Sequence, residues 1–160
     1  MKKIGALITV FLTAAILFAL FHRIILNANQ VSFASGGDGI KSTFGTVYHI
    51  KHDSAYWHTD AMNYPFGESV FFTGNQVVLT NFLKLLKDAG WDLSDVAVGI
   101  SNILILLSFV IASLFIYLIF RELDVVWWLA AAASVIIVIL SNQWERLGGH
   151  YNLAYAYVIP

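Results

Sequence analysis

Three groups of residues in this chain have the types and spacing to do chemistry. Asp38 stands between Gly37 and Gly39, about 16 residues beyond the first long apolar run. Glycine on both sides lets the backbone turn sharply and approach a ligand closely. A lone carboxylate at such a place can serve as a general base or hold a divalent cation, although Asp and Gly together also make ordinary turns. The second group is His49, His52, Asp53, His58 and Asp60, with Tyr48, Tyr56 and Trp57 interleaved. On a helix His49 would share a face with His52 and Asp53, at i+3 and i+4, which is compatible with metal ligation. No established ligand spacing is met, and a polar, aromatic segment near lipid headgroups accounts for the same residues. Aromatic faces beside carboxylates also suit sugar rings. The third group is Arg146, His150 and Tyr151, with Gly148 and Gly149 between them. Arg146 can grip a phosphate bidentately, His150 can add a donor, and backbone N–H groups can approach an anion at the glycines. Alternatively Arg146 is an interfacial anchor beside Glu145. Glu68, at the end of the turn-forming Asn63-Tyr-Pro-Phe-Gly-Glu68, is a further candidate for the site.

The run Gly36-Gly-Asp-Gly-Ile-Lys41-Ser42-Thr43 looks like a phosphate loop, but the motif needs Gly directly before the Lys, and Ile40 stands there.

These groups must be positioned by a chain that is 59% hydrophobic and only 12% charged over 160 residues. Soluble domains carry roughly a quarter charged residues. Residues 4–21, 96–120 and 125–140 contain no Asp, Glu, Lys or Arg. A spanning helix needs about 20 apolar residues to cross roughly 30 Å of hydrocarbon. The expected fold is therefore an all-α integral membrane protein with three transmembrane helices at about 4–21, 96–120 and 125–140. With no Cys, a disulfide scaffold and a zinc-thiolate site are excluded. A net charge of −1 offers no basic stripe for nucleic acid.

Lys2 and Lys3 before the first span and Arg121 in the link between the second and third mark one side as cytoplasmic. The 18-residue apolar core of the first span is long for a signal peptide, despite the small residues of Ser32-Phe33-Ala34, and reads as a retained anchor. Residues 22–95 and 141–160 then share the extracytoplasmic face. Eleven of the 74 residues in the 22–95 loop are Phe, Tyr or Trp, too many for a disordered linker. Within it, apolar residues from Gln76 to Ala89 recur at helical spacing and Gly90 follows as a stop, which predicts an amphipathic helix over about 76–89. It is expected on the membrane surface or against neighbouring spans. Ser101, Asn102, Ser108, Ser113 and Ser134 inside the spans are expected as interhelical hydrogen-bond partners. The apolar run Leu153–Ile159 at the end reads as the start of further spans, so residues 1–160 are expected to be the N-terminal part of a longer multi-span domain.

A first span, a long outer loop with an early Asp and then a helical hairpin resembles the N-terminal end of the GT-C superfamily of membrane glycosyltransferases. Gly37-Asp38-Gly39, Met62-Asn-Tyr-Pro-Phe-Gly-Glu68 and Arg146-Leu-Gly-Gly-His150-Tyr-Asn-Leu-Ala-Tyr155 are similar to segments of a bacterial group related to the mannosyltransferases that use lipid-linked sugars. The resemblance implies a polyprenyl-phosphate-linked sugar as donor, an acceptor hydroxyl, the bacterial inner membrane as location, and a catalytic base at Asp38. Arg146, His150, Tyr151 and Glu68 are then expected to bind substrate. Some relatives need a divalent metal, Mg or Mn, and others do not; His52 and Asp53 are the positions expected to hold one. Two departures stand out: the family's acidic pair is a single Asp here, and the family has eight or more spans. The competing expectations are a small three-span subunit or assembly factor that binds a partner through its aromatic loop, and a transporter or flippase fragment. The latter is disfavoured because the spans carry no ionisable residue to mark a pathway.

Overall fold

The computed structural model describes residues 2–33 and 36–155. Helix α1 (Lys2–Leu26) packs on α4 (Ala97–Glu122) and α5 (Trp127–Ile139), and α4 and α5 pack on each other. All three charge-free runs are thus helical, and three helices are long and apolar enough to cross a membrane. The first span outlasts its expected end. It leaves helical geometry at Phe21, where the charge-free run stops, and resumes to Leu26. Ile25 packs on the bundle core beyond that kink, which gives the extra turn an apolar face to bury.

Interiors of such bundles lack a hydrophobic drive between helices, so small residues and polar pairs do the joining. At Gly5 an added Cβ would overlap the hydroxyl of Tyr117, which is fully buried on α4. The Thr13 hydroxyl donates to Ser113 Oγ at 3.0 Å. Asn102 donates to the carbonyls of both Ala28 and Val31, each at 2.7 Å, and so ties the end of α1 to α4. Ser113 is an interhelical partner as expected, while Asn102 holds the segment that follows α1. Ser101 and Ser134 instead bond back to Ala97 and Ala131 of their own helices, the common use of a lone hydroxyl in an apolar helix.

A polar layer covers one end of the bundle. It contains α2 (Gly37–His52), a two-residue antiparallel pair β1 (His58–Thr59) and β2 (Glu68–Ser69), and α3 (Val77–Asp88). The amphipathic helix lies where its periodicity placed it. The Gln76 side chain accepts from the Leu79 N–H at its start, and Gly90 has φ +97° just past its end. Helix α2 was not signalled. Its buried positions are Gly39, Ser42, Gly45, Thr46, His49 and Ile50, a stripe at helical spacing made of small and polar residues. Hydrophobic periodicity cannot see such a stripe, and glycine disfavours helix locally. Close packing explains it: an added Cβ on Gly45 would lie 3.2 Å from Met62 Cε and 3.5 Å from Thr73 Cβ. Ile50 joins Leu83 and Ala97 in a small core that fixes α2 and α3 over the start of α4.

After α5 the chain turns at Leu140–Asn142, forms the single turn α6 (Gln143–Arg146), and folds back across the polar layer to Tyr155. Trp144 is half-buried at the end of the bundle. It stacks on Phe21 at 5.2 Å and meets Phe109 at 4.7 Å. Of the terminal apolar run, residues 156–159 lie outside the described residues.

Candidate functional site

Helix α2 sorts the candidate residues into two ends. Its sixteen residues make it about 24 Å long at 1.5 Å per residue.

At the first end, Gly36 is extended, Gly37 has φ +55°, and no atom lies within 4 Å of a Cβ added to either. Asp38 sits in the first helical turn and is exposed, where a negative charge complements the helix dipole. The returning segment crosses here: a Cβ on Gly149 would lie 3.3 Å from Asp38 Cβ and 3.7 Å from Gly39 N. Any side chain at position 149 would crowd α2, so glycine is what permits this approach. Arg146 and His150 flank that contact and are both exposed, with Gly149 N–H and His150 N–H bonded to the Arg146 carbonyl. Tyr151 turns inward, is buried, and shares a 2.6 Å hydrogen bond with Ser32 Oγ. Gly149, between the exposed Arg146 and His150, therefore meets the start of α2 at Asp38, more than a hundred positions earlier in the chain, while Tyr151 is buried.

The other end of α2 holds His52, Asp53 and Glu68. Asp53 is buried and accepts from His49 Nδ1 at 2.7 Å and from the Asp60 N–H at 3.0 Å. His49 Nε2 lies 3.0 Å from Asn81 Oδ1, while Asn81 Nδ2 is buried without a partner among the described residues. Turning that amide over would let Nδ2 donate to a neutral imidazole, with Nδ1–H donating to Asp53. Lys84 is 3% exposed and donates to the Asp53 carbonyl at 2.5 Å; Lys87 donates to the Ile50 and Lys51 carbonyls. Two lysines of α3 thus cap the C-terminus of α2, where positive charge is favoured. His52 is exposed, with its ring 4.9 Å from that of Tyr48. Glu68 pairs with Thr59 in the short sheet beside this end. The residues do not fit a metal at His52 and Asp53: the Asp53 carboxylate already serves His49 and Asp60, and no three His, Asp or Glu side chains converge among the described residues. No step is routed through a metal.

Three groups in the polar layer have displaced proton affinities. The Tyr56 phenol is raised above its ordinary 10.0, first by its 2.6 Å hydrogen bond to Asp88. The Lys51 ammonium is raised above 10.5 by its hydrogen bond and attraction to Asp95. Asp92 is lowered below 3.8 by hydrogen bonds from Ser94.

Between the two ends, a cavity of about 20 Å³ lies under α2. Thr43 and Thr46 line it from α2, Asn75 and Gln76 from the loop before α3, Ser101 and Asn102 from α4, and Tyr151 and Tyr155 close it. Asn75 carried no signal in the sequence beyond the turn-like pair Gly74-Asn75, because its burial depends on the returning segment: the Asn152 N–H bonds to the Gly74 carbonyl at 3.3 Å. An apolar groove of about 260 Å³ shares Gln76 and Tyr155 with this cavity and runs between α3 and α4.

A family described as a domain of unknown function, DUF6311, matches residues 10–159, nearly the whole chain, and the chain belongs to it. No curated protein and no solved structure matches.

Proposed function

We propose that this member of the DUF6311 family forms the Asp38 side of a bacterial multi-span glycosyltransferase of the GT-C type. It moves a sugar from a polyprenyl-phosphate donor to an acceptor hydroxyl at the extracytoplasmic face of the inner membrane. The observation that carries this reading is the close approach of Gly149, between the exposed Arg146 and His150, to Cβ and the backbone of the exposed Asp38. A carboxylate, a guanidinium and an imidazole are carried by adjoining segments, in a layer where α1 ends and α4 begins. In the reaction Asp38 accepts the proton of the acceptor hydroxyl as its oxygen bonds to the anomeric carbon. The carbon–phosphate oxygen bond breaks on the opposite side, and the lipid phosphate leaves as an anion stabilised by Arg146 and His150. In this reading further spans complete the cavity, since Asp38 on α2, Arg146 on α6 and His150 just after it are all exposed. Orientation follows from Lys2, Lys3 and Arg121 at the other end of the bundle.

The test is transfer from polyprenyl-phosphate sugars by the full-length gene product. Asp38→Asn is expected to lower turnover by roughly a hundredfold or more, the usual worth of a general base. Undiminished turnover sinks the assignment.

A second reading rests on a different surface. Trp57 and Phe71 stack in parallel at 5.8 Å, both exposed, beside a cleft of about 450 Å³ lined by Val78, Phe82 and Leu85. Such an apolar face fits a small membrane subunit that holds a partner protein. A partner that co-purifies with the wild type and is lost with Trp57→Ser favours this alternative.

A further inference from the structure

The cavity under α2 and the groove beside it have the polarity of a single bound molecule. Asn75 is 3% exposed, and neither its Oδ1 nor its Nδ2 has a hydrogen-bond partner among the described residues. A buried amide left unpaired forfeits its hydration without a replacement bond, so a ligand group that satisfies both atoms is favoured there. The cavity is lined by ten residues, none of them Asp, Glu, Lys, Arg or His. An ion would enter without a counter-charge, at a cost of several kcal/mol or more. One hydroxyl meets the need, since it donates to Oδ1 and accepts from Nδ2. The space, about 20 Å³, suits one such group.

The groove supplies the rest. Its walls are Val78, Leu79 and Phe82 of α3 and Leu104, Leu107 and Ile111 of α4. From Ser101 in the cavity to Ile111 in the groove, α4 advances ten residues, about 15 Å at 1.5 Å per residue. That is half of the roughly 30 Å hydrocarbon core, the depth of one leaflet. The head lies at the polar layer and the tail runs down a spanning helix, the same sense as a lipid of the outer leaflet.

We infer that Asn75 and the α3–α4 groove bind a neutral, hydroxyl-headed lipid, separately from any anionic donor at Asp38. The site goes beyond the transfer reading and does not rest on it. The test uses the full-length protein in detergent and native mass spectrometry, with monooleoylglycerol, methyl oleate and oleate as probes. Monooleoylglycerol is expected to be retained about tenfold better than either of the others, the effect of one hydrogen-bonded pair of about 1.4 kcal/mol. Asn75→Leu is expected to abolish that preference at unchanged melting temperature. Leu107→Trp, on the exposed side of α4, is expected to lower retention of every probe by blocking the tail, and it decides the matter if Asn75→Leu does not fold. Equal retention of the three probes overturns the proposal. So does wild-type retention in the folded variants, or a cavity that holds only ordered water and retains no probe. Binding is read without turnover, so its failure leaves the Asp38 assignment standing, and an inactive Asp38→Asn does not bear on it.

Discussion

The two ends of α2 carry similar side chains and use them oppositely. At the C-terminal end His49, Asp53, Lys84, Lys87, Tyr56 and Asp88 are joined to one another or to backbone carbonyls, and the central members are buried. At the N-terminal end Asp38, Arg146 and His150 are exposed beside glycines that leave open space. A buried carboxylate already engaged by two donors positions a helix; an exposed one is free to meet a substrate. The His and Asp residues crowd near the structural end, where no established ligand spacing is met.

The largest expected effect separates the ends by function. Asp38→Asn should reduce turnover by roughly a hundredfold while the melting temperature stays put. If stability falls instead, Asp38 belongs with the structural groups and the contrast collapses. Next comes Asp53→Ala, which leaves His49 and the Asp60 N–H without their acceptor. A loss of about 1–3 kcal/mol in unfolding free energy is expected for such orphaned groups, read by denaturant titration in detergent, and a stability equal to wild type would show that the network is idle. A smaller change is expected from Gly149→Ala. Its Cβ would stand 3.3 Å from Asp38 Cβ, so the returning segment must give by a few tenths of an ångström. Turnover should drop several-fold, with stability changed by about 1 kcal/mol or less.

The smallest effect is an alkaline one. Tyr56 and Lys51 have raised proton affinities because their protonated forms are held by Asp88 and Asp95. Their contacts are complete below about pH 10 and are lost as pH rises through the raised values. Absorbance near 295 nm should show one phenol titrating above 10.0 in the wild type, and that component should be absent in Tyr56→Phe. A Tyr56 component at the ordinary phenol value would deny the Asp88 bond.

Much of the fold was legible. Charge-free runs located α1, α4 and α5, and a 3.6-residue apolar rhythm located α3, because burial in lipid or against a core demands apolar side chains in those patterns. The site was legible only as separate pieces. Asp38 stood out for its glycines and Arg146 to Tyr151 for their chemistry, and the topology and the resemblance put them on one face, but only the fold set Gly149 against Asp38. Helix α2 escaped because it buries Gly, Ser, Thr and His instead of Leu or Val.

By itself, then, the sequence determined the solvent of each segment, since transfer free energy depends on residue type and run length. Tertiary structure decided which polar groups remain free. Asp53 became structural because His49, itself held by Asn81 of α3, and Lys84 of α3 engage it, and Asp38 stayed open where Gly149, a residue without a side chain, crosses it. Hydrogen bonding is pairwise and short-ranged, so whether a side chain is engaged is a property of its neighbours in space and not of its own place along the chain.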